Sequence, residues 1–200
     1  MIIIGLTGGI ASGKSTIAVM LRDLGAAVFD ADEVSRQAVS KGSDGLRQIA
    51  ATFGADYLLP TGELNREKMA QRVFSDAAAL KTLEGIIHKI VWAQAELFTT
   101  ACAAAGKRVA VLDVPLLIEC GWQHKVDRVW LVAVQHQTQI ERAMARSGMS
   151  AEAVIARIEA QMPLTEKRAY ADFVINNDAD LEQTRRVVSE AWAKINAAEE

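Results

Sequence analysis

Short β-branched runs alternate with longer stretches of helical periodicity along this chain. Apolar runs at Ile2–Gly5, Ala27–Asp30, Val109–Asp113, Arg128–Val132 and Phe173–Ile175 predict five strands. Strands alternating with helices around a β-branched core predict an α/β fold, a parallel sheet wrapped by helices. After the first run, Ile17, Leu21 and Leu24 recur at helical spacing, and Gly25 follows as a C-terminal stop. Near the end of the chain, Asp180 and Gln183 are placed as a capping pair. They precede a helix with Leu181, Val188, Trp192 and Ile195 on one face. Between the second and third strands lie about eighty residues that read mostly as helix, far more than a minimal crossover needs. This stretch predicts a helical insertion, placed to hold a second substrate.

The run Gly8-Gly9-Ile10-Ala11-Ser12-Gly13-Lys14-Ser15 separates the first strand from the first helix. It fits the pattern of Gly, four free positions, then Gly-Lys-Ser that cradles phosphates. Glycines let the main chain bend into a ring of N–H groups around an anion. Lys14 reaches the outer phosphates, Ser15 is placed to ligate magnesium, and the helix points its positive end at the same charge. Strand, loop and helix together predict a nucleotide site. By this reading the Lys14 side chain faces phosphate rather than core.

Composition narrows the class. At 200 residues and 50% hydrophobic content, the chain is long enough for one well-buried domain. Lys and Arg number 22 against 25 Asp and Glu, so there is no bulk attraction to nucleic acid or anionic membrane. Cys102 and Cys120 are the only cysteines and form no CxxC pair, which suggests neither a disulfide framework nor a zinc site. The N-terminal apolar run leads straight into the phosphate loop rather than a cleavage site, and no apolar stretch approaches a membrane span. A soluble cytoplasmic protein is expected, with no nucleic-acid or membrane partner.

Asp30-Ala31-Asp32 follows the second strand, where carboxyl ends of strands face the ligand crevice of open α/β sheets. One carboxylate there suits accepting a proton from an attacking hydroxyl, and the other suits ordering magnesium waters or a basic side chain. Either also suits a helix N-cap. Asp113 ends the third strand as a carboxylate for magnesium or for structure. In Val114-Pro115-Leu116-Leu117 the leucines read as packing residues or as the wall of an apolar pocket. Thr138 and Glu141 predict a capping box that starts a helix and sets Arg142 and Arg146 four apart. Gly148 stops that helix, Ser150 caps the next, and Arg157 lies on it. These arginines suit either a phosphoryl-neutralising lid or a solvated face. Arg66 is a candidate for substrate phosphate or a helix start, and His88 within a helical run reads first as structural. A GTP-dependent switch would need an Asn-Lys-x-Asp segment, which is absent.

Taken together, Leu6 to Ser15, Asp30-Ala31-Asp32 with Arg36, and Asp113 to Leu117 resemble dephospho-CoA kinase. The likeness extends through Leu83–His88, Gln139–Arg146, Gln161 and Ala171–Asn177, nearly the whole chain. It implies a P-loop kinase fold with a five-stranded parallel core, a CoA-side helical insertion at about 33–106 and an arginine-bearing lid at about 138–165 within one domain, 1–200. It implies transfer of a phosphoryl group from ATP, with Mg2+, to the ribose 3′-hydroxyl of dephospho-CoA. Carried residue by residue, it puts ATP on Gly9, Ile10, Ala11, Ser12, Gly13, Lys14, Ser15, Thr16 and Arg142. Asp32 becomes the catalytic carboxylate, with Lys14 and Arg142 assisting. Thr7, Arg66, His88, Pro115, Leu116 and Leu117 join Asp32 on the acceptor side, and Asp113 is a second candidate metal ligand after Ser15. Two positions depart from the family pattern. Ala11 stands where glycine is usual, which a methyl group tolerates where no positive φ is needed. Lys89 follows His88 where proline is usual, which alters the turn expected there.

Overall fold

The five runs become β1 (Ile2–Gly8), β2 (Ala27–Asp30), β3 (Val109–Asp113), β4 (Arg128–Ala133) and β5 (Phe173–Asn176). They form one parallel sheet in the order β2-β3-β1-β4-β5. Helix α1 (Lys14–Asp23) follows β1, and α2 (Ala31–Ala38), α3 (Asp44–Phe53), α4 (Arg66–Ser75) and α5 (Ala77–Ala104) separate β2 from β3. Between β4 and β5 come α6 (His136–Ser147), α7 (Ala151–Glu159) and α8 (Leu164–Lys167), and α9 (Leu181–Ala197) follows β5. The computed structural model describes residues 1–197, which divide into Met1–Phe29 with the chain from Ala101 onward, and Asp30–Thr100.

In the first unit, central β1 pairs with β3 on one side and β4 on the other, placing Leu6 level with both Asp113 and Trp130. Ile4, Leu6, Val111, Trp130, Val132 and Ile175 share a face that meets Ile17, Met20 and Leu21 of α1 and Val188 of α9. All of these are almost wholly buried, and each such side chain contributes about 1.5–3 kcal/mol over the exposed state. Trp130 and Phe173 add a tilted ring contact at 5.2 Å. Leu24 and Leu181 lie off this stripe and are exposed. On the opposite face Leu117 is fully buried under β1; a Cβ at Gly5 would lie 2.6 Å from its Cδ2.

The second unit is helical, and each of its α-helices starts on a side-chain cap. Asp30 accepts from the Glu33 N–H, Ser43 from Leu46, Asn65 from Lys68 and Asp76 from Ala79. Val39, Ile49 and Met69 form its core, with Phe53, Tyr57, Leu64 and Ile86 against them. His88 and Lys89 lie inside α5, so the altered turn expected at Lys89 does not exist. Lysine, with its N–H and good helix propensity, continues the helix there.

One helix start is corrected. Helix α6 begins at His136 after an extended Gln135, not at a Thr138 capping box. The Gln135 N–H is taken instead by the Asp178 carboxylate, and Glu141 accepts from Gln137. Gly148 ends α6 in the left-handed region, Ser150 caps α7, and Asp180 caps α9 through the Gln183 N–H.

Candidate active site

The start of α1 is built differently from the helix starts of the second unit. Its N-cap is Gly13, which offers no side-chain oxygen, so the first-turn N–H groups stay open. Among the described residues, no acceptor meets the N–H of Ala11, Gly13, Lys14 or Ser15, whereas Ser12 donates back to Gly9 and Thr16 to Gly13. Four open donors at a helix N-terminus make a cradle for an anion. Glycine is required on geometric grounds at two places. A Cβ at Gly8 would lie 2.8 Å from the Val132 carbonyl, and one at Gly13, which has φ +86°, 2.1 Å from Asn177 Nδ2.

Lys14 reaches from this cradle to Asp113, and the two form an ion pair. The pair is largely shielded, with side chains 15% and 6% exposed. Lys14 thus faces a carboxylate at the end of β3. Ser15 and Thr16 are exposed on the first turn of α1.

The wall of the loop comes from far along the sequence. Gln139 Nε2 donates to the Ile10 carbonyl at 2.9 Å, and the Ile10 N–H donates to Gln161 Oε1 at 3.2 Å. Asn177 Nδ2 donates to the Ser12 carbonyl at 2.8 Å, and Arg142 Nη2 to the Asn177 carbonyl at 3.0 Å. Arg142 is therefore not on a solvated face; a Cβ at Gly13 would lie 3.8 Å from its Nη1. Arg146 and Arg157 sit farther out, lining a cleft of about 120 Å³ with Ile10, Ala143 and Val154. Sequence reading gave Gln139, Gln161 and Asn177 no role, because an uncharged amide carries no spacing signal of its own.

On the acceptor side, the Thr7 hydroxyl donates to the Pro115 carbonyl at 2.9 Å and is fully buried. Thr7 fixes the turn after β3 rather than offering surface. Leu117 is a packing residue for the same reason of burial, while Leu116 is exposed and Pro115 half-exposed. Glu119 beyond the turn pairs with the fully buried Lys167 at 2.7 Å, tying α8 to this segment. In the second unit Asp30 is the helix cap, which leaves Asp32 exposed in the first turn of α2 with no capping duty. Arg36 pairs with Glu33, not with Asp32, and that hydrogen bond holds the Glu33 carboxyl below its usual range. Arg66 is exposed at the first position of α4, and His88 is half-buried in α5.

Ala11 breaks an expectation outright. Its φ is +55°, the only described non-glycine residue in the left-handed region, so the methyl group stands where the backbone does need positive φ.

Among the described residues no group of three or more His, Cys, Asp or Glu side chains could hold a metal by itself, and Cys102 and Cys120 are not joined in a disulfide. A metal held by one hydroxyl and by nucleotide phosphates needs no such cluster. No described helix is long and apolar enough to cross a membrane.

Comparison with known proteins adds a family likeness to this geometry. The family model for dephospho-CoA kinase matches residues 2–183. The dephospho-CoA kinase of Geobacter sulfurreducens is 45% identical over 97% of this chain and 98% of its own length. That of Geobacillus kaustophilus is 46% identical over 92% of this chain and 91% of its own. A solved structure from Thermus thermophilus superposes with a TM-score of 0.81 at 37% identity, covering 96% of this chain and 97% of that one. Shikimate kinase from Acinetobacter baumannii, at 15% identity and a TM-score of 0.53 over 100% of this chain and 95% of its own, shares the fold.

Proposed function

The chain belongs to the dephospho-CoA kinase family, and from that premise we propose how its residues divide the work of phosphorylating dephospho-CoA with ATP. The observation that carries the reading is the uncapped start of α1, with open N–H groups and Lys14 beside them. The N–H groups from Ala11 to Ser15 hold the β- and γ-phosphates, and the Lys14 ammonium passes from Asp113 to phosphate oxygen when ATP arrives. A divalent metal accompanies ATP in such kinases; we assign magnesium, with the exposed Ser15 hydroxyl and the Asp113 carboxylate to hold it. Its chemistry there is neutralisation of phosphate charge.

Asp32 accepts the proton of the ribose 3′-hydroxyl, and coenzyme A and ADP result. Pro115 and Leu116 border the acceptor on a turn that Thr7 fixes, and Arg66 and His88 serve the CoA side. In this reading residues 33–106 are a CoA-side insertion and 138–165 a lid within a single kinase domain. Closure of that lid excludes water that would otherwise hydrolyse ATP. Both substrates are soluble metabolites, which suits a cytoplasmic enzyme. The direct test is whether purified protein forms ADP only when dephospho-CoA is added. Equal ADP formation without it, or with shikimate in its place, would overturn the assignment.

Arg142 gives a second check. Its guanidinium is anchored on the Asn177 carbonyl with a free edge beside the loop, which suits it to charge that develops during transfer. Arg142→Ala is expected to lower kcat about 10²–10³-fold while weakening ADP binding far less. Steady-state rates beside ADP titration separate the two effects. Equal losses would make Arg142 a simple affinity residue.

A further inference from the structure

Ala11 is held in an unfavourable conformation, and polar side chains grip the backbone around it. In the left-handed region the Cβ of an L-residue crowds its carbonyl oxygen, so Ala11 left to itself returns to negative φ. That rotation would turn the Ala11 and Ser12 peptides and misaim the N–H groups that follow. The peptide unit after Ala11 is tied within the loop by the Ser12 N–H donating to the Gly9 carbonyl, and the units bordering this stretch are fixed from outside. Ile10 is gripped at both polar atoms, its N–H by Gln161 and its carbonyl by Gln139, while Asn177 grips the Ser12 carbonyl. The amide orientations follow from their partners, since a backbone N–H only donates and a carbonyl only accepts. Gln139 is 3% exposed, and Gly9 makes room for it: a Cβ there would lie 2.5 Å from Nε2.

We propose that Gln139 and Gln161 are positioning residues for ATP, acting through Ala11: by clamping the two peptide units that flank Ile10 they hold Ala11 at positive φ and so aim the phosphate-binding N–H groups. Both glutamines lie on the stretch that carries Arg142, with Gln139 one turn before it on α6 and Gln161 just past α7. The stretch that delivers charge to the transferred group therefore also sets the shape of the loop that binds the nucleotide. The inference rests on the ATP-dependent reading above.

The test is a double-substitution cycle read by ATP calorimetry without acceptor. Methionine matches glutamine in length but neither donates to nor accepts from the backbone. Gln161→Met and Gln139→Met are each expected to weaken ATP binding about tenfold in the Ala11 protein. In the Ala11→Gly background the same substitutions should cost less than about threefold, because glycine holds positive φ without help. The KM for dephospho-CoA should stay within about twofold, since the clamp touches only the phosphate loop. A tenfold loss in both backgrounds would overturn the proposal, as would unchanged ATP affinity with a lowered melting temperature. Gln161 is only half-buried and tolerates replacement more readily, and melting without nucleotide confirms that each variant folds. Failure of the kinase assignment would show differently, as a wild-type protein that binds ATP but never phosphorylates dephospho-CoA.

Discussion

Replacing Lys14 by alanine is expected to remove turnover and, in the same protein, to lower the melting temperature measured without nucleotide. The first effect follows from the loss of a preorganised cation at the β- and γ-phosphates, worth at least about 10²–10³ in kcat. The second follows from the pairing of Lys14 with Asp113, whose side chain is only 6% exposed. Truncating the lysine leaves a nearly buried carboxylate without its cation. A fully buried broken pair costs about 3–5 kcal/mol. Lys14 keeps some solvent contact and Asp113 has further interactions, so about 1–3 kcal/mol is expected here. For a chain of this size each kcal/mol is about 2–4 °C in Tm. Adding Asp113→Asn to Lys14→Ala should recover part of the stability, since a neutral amide is less costly to bury than a carboxylate that has lost its cation, and none of the turnover. Near-normal kcat in Lys14→Ala would remove the lysine from the mechanism. An unchanged Tm would mean that the pair contributes nothing to the fold.

The contrast between Lys14 and the amides around it shows what the sequence could and could not reveal. The phosphate loop and the five strands were legible because each is local: a β-branched run, glycines at fixed spacing, then helical periodicity. That Lys14 would meet Asp113 was not, since the two are 99 residues apart and only the β1–β3 register sets Asp113 level with Leu6, just ahead of the loop that leads to Lys14. Gln139, Gln161 and Asn177 reach the loop from 129, 151 and 165 residues away. Nothing in a lone amide announces such a contact. Among the local readings that failed, those at Thr138 and Ala11 lost to demands from elsewhere in the fold. Thr138 lost the start of α6 when the Asp178 carboxylate took the Gln135 N–H. At Ala11 the backbone demands positive φ despite the methyl group, a demand that belongs to the loop rather than to the residue type. As a local pattern Asp30 and Asp32 each suited base or cap, and only the resemblance chose Asp32 as the catalytic carboxylate; the hydrogen bond from the Glu33 N–H makes Asp30 the cap.

That separation sharpens the prediction for Asp32. With Asp30 serving as the cap, Asp32→Asn removes no capping bond and should leave the melting temperature nearly unchanged. The lost charge in the first turn of α2 is worth at most about 0.3–1 kcal/mol through the helix dipole. Asp30→Ala should behave oppositely for stability, costing about 1 kcal/mol as its cap is lost. Turnover is the discriminating measurement. Asparagine matches aspartate in shape but cannot accept a proton, so loss of a general base should cost about 10²–10⁴ in kcat. Phosphoryl transfer through a loose transition state moves the proton late, which favours the lower part of that range. ATP binding should be retained because the phosphate loop is untouched, and dephospho-CoA should bind within a few-fold because Arg66 and His88, proposed for the CoA side, are unchanged. The loss would then lie in kcat rather than in KM, as for an interaction made only in the transition state. Steady-state kinetics beside calorimetric binding of each substrate decides the matter. Wild-type kcat in Asp32→Asn would end its assignment as the base and leave it an exposed first-turn carboxylate of α2.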